Sequence, residues 1–175
     1  MNDNELQSMS KNGDKGAHSI EQLGHFDHVS LNQYYPLSLI VHDFKIARNI
    51  GSVFRIADAL GVERIYLTGC SFDADNPKVK KASRTTVKSV PYESHDAVIP
   101  IIQKLKRSGY TIISLEMTSK SIAVSQLELP PASKVCLILG AEKEGVAENL
   151  LVLSDHVVHI PVSYTHLTLP TKRIV

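Results

Sequence analysis

From Pro36 onward, short apolar runs rich in β-branched residues alternate with stretches of helical period, and this alternation limits the fold more than any other feature. The runs are LSLIVHD (37–43), RIYLTGC (64–70), SVPYES (89–94), TIISLEM (111–117), KVCLILG (134–140) and HVVHIPV (156–162). Runs this apolar need cover on both faces, and a helix between successive strands is what returns a chain for parallel pairing. The pattern predicts an α/β fold: an open, mostly parallel sheet of six strands with helices on both faces.

The helical stretches fit that frame. Val53, Ile56, Ala57 and Leu60 fall at i, i+3, i+4 and i+7, predicting a helix over 51–60 with that stripe buried. A second, DAVIPIIQKLKRSG (96–109), begins with acid, ends with Lys104, Lys106 and Arg107, and has Gly109 at its C-terminal cap. Pro100 sits in its first turns, where it only shifts the start. A third, AENLLVLSD (147–155), follows the fifth run.

The length of 175 residues suits one domain, and a hydrophobic content of 43% supplies its core. A net charge of +1 excludes a uniformly basic nucleic-acid binder, so any such footprint must be a local patch. Cys70 and Cys136 lack metal or redox spacing and read as reduced, structural thiols. No apolar run reaches the length of a membrane span, and the N-terminal residues lack the apolar stretch of a signal peptide. These features point to a soluble cytoplasmic protein. Residues 1–30 read as a flexible arm, 31–161 as the folded domain and 162–175 as an atypical tail. His18, His25 and His28, in or near the arm, have no ligand partners at metal spacing, so no metal is expected.

Three stretches could carry chemistry. On the first helix, Arg55 lies about 200° around the axis from Val53 and so points away from the core stripe. An exposed pairing with Asp58 at i+3 would account for it, and simple helix capping would account for Asn49. Yet both follow the carboxyl end of the first strand, where open α/β sheets place ligands. In LILGAEKEGV (137–146), Gly140 and Gly145 would let the backbone approach a small molecule, although a generic turn explains them equally well. The segment KVKKASRTTVK (78–88) holds Lys78, Lys80, Lys81, Arg84 and Lys88 without an acid. It is either a solvated charge run or a phosphate-contact surface that weakens as salt rises.

NIGSVFRIADALGV (49–62) and LILGAEKEGV resemble the first two motifs of the SPOUT-class (TrmH/SpoU) RNA ribose methyltransferases, and HVVHIPV the start of the third, in order and spacing over Pro36 to Pro161. The resemblance implies a SPOUT-like fold with a C-terminal trefoil knot, a homodimer, S-adenosylmethionine as methyl donor and an RNA ribose 2'-hydroxyl, of tRNA or rRNA, as acceptor. By position it implies that Arg55 orients or deprotonates that hydroxyl and that Asn49 shapes the site. Glu142 would order the arginine and the pocket. Leu139, Gly140 and Ile160 would surround the adenosine end of the cofactor, with Glu116 and Met117 in the cofactor loop. A free guanidinium is a poor base, with a reference pKa above about 12, so stabilising the forming oxyanion ranks at least equal to proton abstraction.

The resemblance stops in the tail. VSYTHLTLPTKRIV (162–175) has no amphipathic period, and Pro170 would break a helix across it. The last helix of the knot is therefore expected to be absent, and Ser163 is not equated with a motif serine. The tail resembles translated adapter read-through and is expected to be non-native. Lacking that helix, the chain could also be a catalytically inactive RNA-binding homologue. A general nucleotide binder fits less well, because no glycine-rich phosphate loop follows the first strand.

Overall fold

Along the first strand, β1 (Tyr35–His42), side chains alternate between two separate cores. Leu39 and Val41 join one hydrophobic cluster and Ile40 the other, and all three are buried. The computed structural model describes residues 34–162, all within one compact unit, Gln33–Val175. The remaining elements are α1 (Ala47–Ala59), β2 (Val62–Thr68), α2 (Pro77–Ser83), β3 (Tyr92–His95), α3 (Ile99–Arg107), β4 (Tyr110–Leu115), β5 (Ile122–Ala123), β6 (Lys134–Leu139), α4 (Glu148–Leu153) and β7 (His156–His159).

The strands form one sheet in the order β3-β2-β1-β6-β4-β7-β5, and every pairing between them is parallel. The sheet has seven strands where the runs predict six. The extra one, β5, is two residues long and too short to leave an apolar run. On one face α1 packs Ile50, Val53, Phe54 and Ala57 against Leu39, Val41, Ile65 and Leu67. Phe54 is fully buried, stacks on Phe72 and meets Tyr92 edge-on, both at 5.4 Å between ring centroids. Burial of a side chain this size stabilises the fold by roughly 1.5–3 kcal/mol. On the other face α3 and α4 bring Ile101, Ile102, Leu105 and Leu150 onto Ile40, Ile112, Cys136 and Ile138. Both cysteines are free, and burial pushes the Cys136 thiol up to about 12, which leaves it a small apolar filler.

Several boundaries differ from the sequence expectation. The first helix starts at Ala47, four residues before Gly51, so Asn49 lies inside its first turn and is not its N-cap. Its buried stripe is Ile50, Val53, Phe54 and Ala57, while Ile56 and Leu60 are 56% and 55% exposed. The stripe is rotated because Phe54 faces the sheet and Gly51 faces α2. The third strand is Tyr92–His95 rather than 89–94, because residues 89–91 still belong to the connection after the turn Thr86–Lys88 and pairing with β2 begins only at Tyr92. The second helix begins at Ile99, with Pro100 in its first turn, where a missing N–H costs no hydrogen bond. The segment read as a charge run contains α2, capped by Asn76, whose side chain accepts from the Lys78 N–H at 2.9 Å.

The expectations for the arm, for His18, His25 and His28, for Ser163 and for the last helix of the knot fall outside the described residues. Among the described residues no group of three or more His, Cys, Asp or Glu could hold a metal ion, and no helix is long and apolar enough to cross a membrane.

Candidate active site

Parallel strands aligned in register bring their carboxyl ends to one edge. Val41 pairs with Leu139, Leu115 with Leu139 and Leu115 with Val158, so Asp43, Glu116, Gly140 and His159 all emerge together. The connection leaving β1 enters α1 on one face, and the connection leaving β6 leads to α4 on the other. Adjacent strands whose connections diverge leave a crevice between them, the place where open α/β sheets bind ligands.

Glu142 bridges that crevice. One carboxylate oxygen, Oε2, accepts the Lys45 N–H at 3.1 Å. The other, Oε1, accepts the Ile46 N–H at 3.1 Å and the Asn49 Nδ2–H at 2.9 Å. A carboxylate 93 to 97 residues away in sequence thus caps the amino end of α1, which has no side-chain cap of its own. Desolvation acts to raise its pKa, but hydrogen bonds from Lys45, its own N–H, Asn49 and Ile46 outweigh it and hold the carboxyl below the usual range. Its partner from motif one is Asn49; no hydrogen bond or ion pair joins it to Arg55 among the described residues. Asn49 therefore acts as the donor that ties the helix to the opposite loop.

The loop after β6 is closed on itself. Ala141 and Gly145 form an antiparallel bridge, and the Gly145 N–H donates to the Ala141 carbonyl at 2.9 Å. A Cβ on Gly140 would collide with the Gly145 backbone, and one on Gly145, whose φ is +72°, would collide with the Glu116 carboxylate. Of the two readings the sequence leaves open, room for a ligand or a tight turn, the structure shows the turn: the space beside both glycines is taken by Gly145 backbone and the Glu116 carboxylate. Glu116 completes the closure by accepting the Val146 N–H at 2.8 Å and the Met117 N–H at 2.9 Å. Its carboxylate therefore builds the wall of the crevice.

Two adjoining hollows follow that wall. One, about 370 Å3, is lined by Phe44, Leu139, Gly140, Glu142 and Glu144 among others. The second, about 190 Å3, lies between Met117, His159 and Ile160, and both share Leu115 and Glu116. The five residues that the resemblance implies for the cofactor thus line these two adjoining hollows: Glu116, Leu139 and Gly140 the first, and Glu116, Met117 and Ile160 the second. His159 also accepts or donates through Nδ1 to Ser121 Oγ at 3.0 Å, so it braces the β7 side.

Arg55 stands on the exposed face of α1 and has no ion pair or hydrogen bond among the described residues, the Asp58 pairing included. Its guanidinium donors are open to a ligand. Arg48, seven residues earlier and on the same face, is exposed and unpaired in the same way. The basic segment reaches α1 through Gly51, where a Cβ would lie 2.7 Å from the Val79 carbonyl oxygen and 2.8 Å from the Ala82 Cβ. Only glycine allows α2 this close. Lys78, Lys80, Lys81, Arg84 and Lys88 are all exposed, and among the described residues only Lys80 of the five forms an ion pair, with Asp75 at 2.8 Å. The structural weight of Gly51 escapes a sequence reading unless Asn76 and Pro77 are taken as a helix start.

The family model of the SpoU rRNA Methylase family matches residues 36–167. The chain belongs to this family. A similar protein is an uncharacterised tRNA/rRNA methyltransferase of Synechocystis, 28% identical over 125 residues, which cover 71% of this chain and 44% of the relative. The tRNA (cytidine(56)-2'-O)-methyltransferase of Nitrosopumilus maritimus is 29% identical over 120 residues, 66% of this chain and 62% of that protein. Among solved structures, the AdoMet-bound rRNA methyltransferase of Sinorhizobium meliloti superposes with a TM-score of 0.67 at 19% identity, covering 79% of this chain and 52% of that one. The chain spans about half the length of the first curated relative it matches. The SpoU fold of the described residues is therefore established from sequence and shape together.

Proposed function

We propose that this chain transfers the methyl group of S-adenosylmethionine to a ribose 2'-hydroxyl of tRNA or rRNA. The observation that carries the reading is the joining of motifs one and two: Glu142 holds Asn49 and the amino end of α1, which places Arg55 on the open side of that helix. The depression beside it fits the methyl donor. Leu115, Leu139, Met117 and Ile160 give apolar walls for an adenine ring, and Glu144 and Glu142 give an acidic rim for a sulfonium. When bound, S-adenosylmethionine supplies an electrophilic methyl group. The AdoMet-bound relative and the 2'-O-methyltransferase among the relatives support both halves of the reaction.

A ribose hydroxyl is a weak nucleophile, so the protein must align it and favour the oxyanion that forms as its proton leaves. Arg55, whose five N–H donors are unengaged among the described residues, stabilises that charge and positions the sugar. Asn49 and Glu142 act by fixing the helix that carries it. Exposed cations of the segment 78–88 hold RNA phosphates nearby. Exposed Ile56 and Leu60 on α1 offer an apolar face for a second copy, consistent with a homodimer. The two free thiols suit a reducing cytoplasm.

Two experiments test the reading. Arg55→Ala should lower methyl transfer to bulk tRNA or rRNA by about 100-fold or more while leaving calorimetric S-adenosylmethionine affinity unchanged; equal losses in both would remove Arg55 from the chemical step. Replacing Lys80, Lys81 and Arg84 by alanine should weaken RNA binding and reduce its salt slope by up to about 3. Unchanged binding would take this segment out of the RNA site.

A further inference from the structure

The edge of the sheet opposite the crevice carries a second aromatic and basic surface that the reaction does not use. Tyr34, Tyr35 and Tyr110, half of the six tyrosines in the chain, line one cavity of about 480 Å3 with Glu63 and Lys134. Tyr34 and Tyr35 are 55% and 56% exposed, so neither ring is held by the core. Tyr110 is fixed: its hydroxyl donates to Glu63 Oε2, and Lys134 Nζ stands 5.7 Å from its ring centroid. Glu63 Oε1 has no partner among the described residues and is free to accept. Lys134 Nζ also approaches the Ser108 carbonyl at 3.5 Å, which joins the cavity to the basic last turn of α3. There Lys106 is paired with Asp155, but Lys104 and Arg107 are exposed without an ion pair among the described residues.

We infer that this edge is a second RNA-contact surface, where an unpaired base stacks on Tyr34 and Tyr35 beside Tyr110 while Lys134, Lys104 and Arg107 meet the flanking phosphates. The inference rests on RNA being the substrate, as proposed above. Solvent-facing aromatics interleaved with unpaired cations are what single-stranded nucleic acid requires, since every base has a face to stack and every linkage a charge to neutralise. Glu63 adds an acceptor for base N–H groups, which favours a base with an amide or amino edge. The eight-residue β1 separates this edge from the crevice by roughly 25 Å, so one RNA could touch both.

The test uses the full chain, a fluorescently labelled single-stranded RNA hexamer followed by anisotropy, and tritiated methyl transfer to bulk tRNA and rRNA. The pair Tyr34→Ala/Tyr35→Ala should weaken hexamer binding about tenfold or more and raise KM for RNA, with kcat and S-adenosylmethionine affinity unchanged. The pair Tyr34→Phe/Tyr35→Phe keeps the rings and should bind as the parent does. Unchanged hexamer affinity and KM in the alanine pair would overturn the inference and leave the proposed reaction standing. An equal loss in the phenylalanine pair would overturn stacking. Loss of self-association in sedimentation, with RNA binding intact, would instead make the edge a contact between copies. If the parent binds the hexamer but transfers no methyl group, and the alanine pair loses binding, the surface stands and the enzymatic reading falls.

Discussion

Glu142→Gln isolates the charge that links the two site loops. The parent carboxylate uses both oxygens to accept three donors, from Lys45, Ile46 and Asn49. Glutamine keeps the size and one oxygen, which can retain Ile46 and Asn49, but it turns an NH2 toward the Lys45 N–H. The loss is one charge-assisted hydrogen bond, about 1.5–3 kcal/mol when well shielded, plus about 0.3–1 kcal/mol of charge–dipole stabilisation at the start of α1. Glu142 is exposed, so water replaces part of what is removed, and a net loss of about 1–2 kcal/mol is expected. The pH dependence has a defined sign. The folded pKa lies below the ordinary 4.5, so this stabilisation is fully present above 4.5 and disappears as pH falls through the lower, folded value. Urea unfolding of parent and variant should therefore show a gap at neutral pH that closes in acid. A gap that persists undiminished in acid, or none at neutral pH, would refute the assignment of Glu142 as the anionic cap of α1.

Two further substitutions probe the packing under the site. Gly51→Ala gains about 1 kcal/mol of helix propensity, yet its Cβ meets the backbone of α2 inside 3 Å, so chemical denaturation should show a net loss of about 1–2 kcal/mol. A stabilised variant would mean that α2 does not rest on Gly51. Ser83 Oγ, at the same crossing, is buried without a partner among the described residues, so Ser83→Ala should be neutral or stabilise the fold by up to about 1 kcal/mol; a net destabilisation would show that the hydroxyl has a partner after all.

The sheet is legible in the sequence because each long strand is covered on both faces and therefore reads as an apolar run. The two-residue β5 buries almost nothing and leaves no trace. The start of α1 is misread for a related reason. Its cap comes from Glu142, 95 residues or so downstream, so no local N-cap marks Ala47, and Asn49 is left open between a cap and a site residue. The site residues themselves are legible only as motifs. Spacing places Arg55 off the core face, but nothing local distinguishes it from a partner of Asp58. Gly140 and Gly145 show that a loop must be tight without revealing what it is tight against.

The division of charge explains why a net charge of +1 is compatible with an RNA site. Glu142 and Glu116 accept backbone N–H groups at the crevice edge, from Lys45 and Ile46 and from Val146, and Asp155 accepts the Ile112 N–H of β4 toward the opposite edge. These carboxylates are engaged in building the strand ends, and the Asp155 carboxyl, though desolvated, is held low by Lys106 and the Ile112 N–H. Arg48, Arg55, Lys78, Lys81, Arg84 and Lys88 are exposed and without ion pairs among the described residues. A polyanion approaching the exposed side of α1 and α2 meets these unpaired cations, while the Glu142 and Glu116 carboxylates are already bonded to the chain. Because phosphate contacts release counterions one by one, the salt slope of RNA binding should follow these unpaired cations rather than the formal net charge.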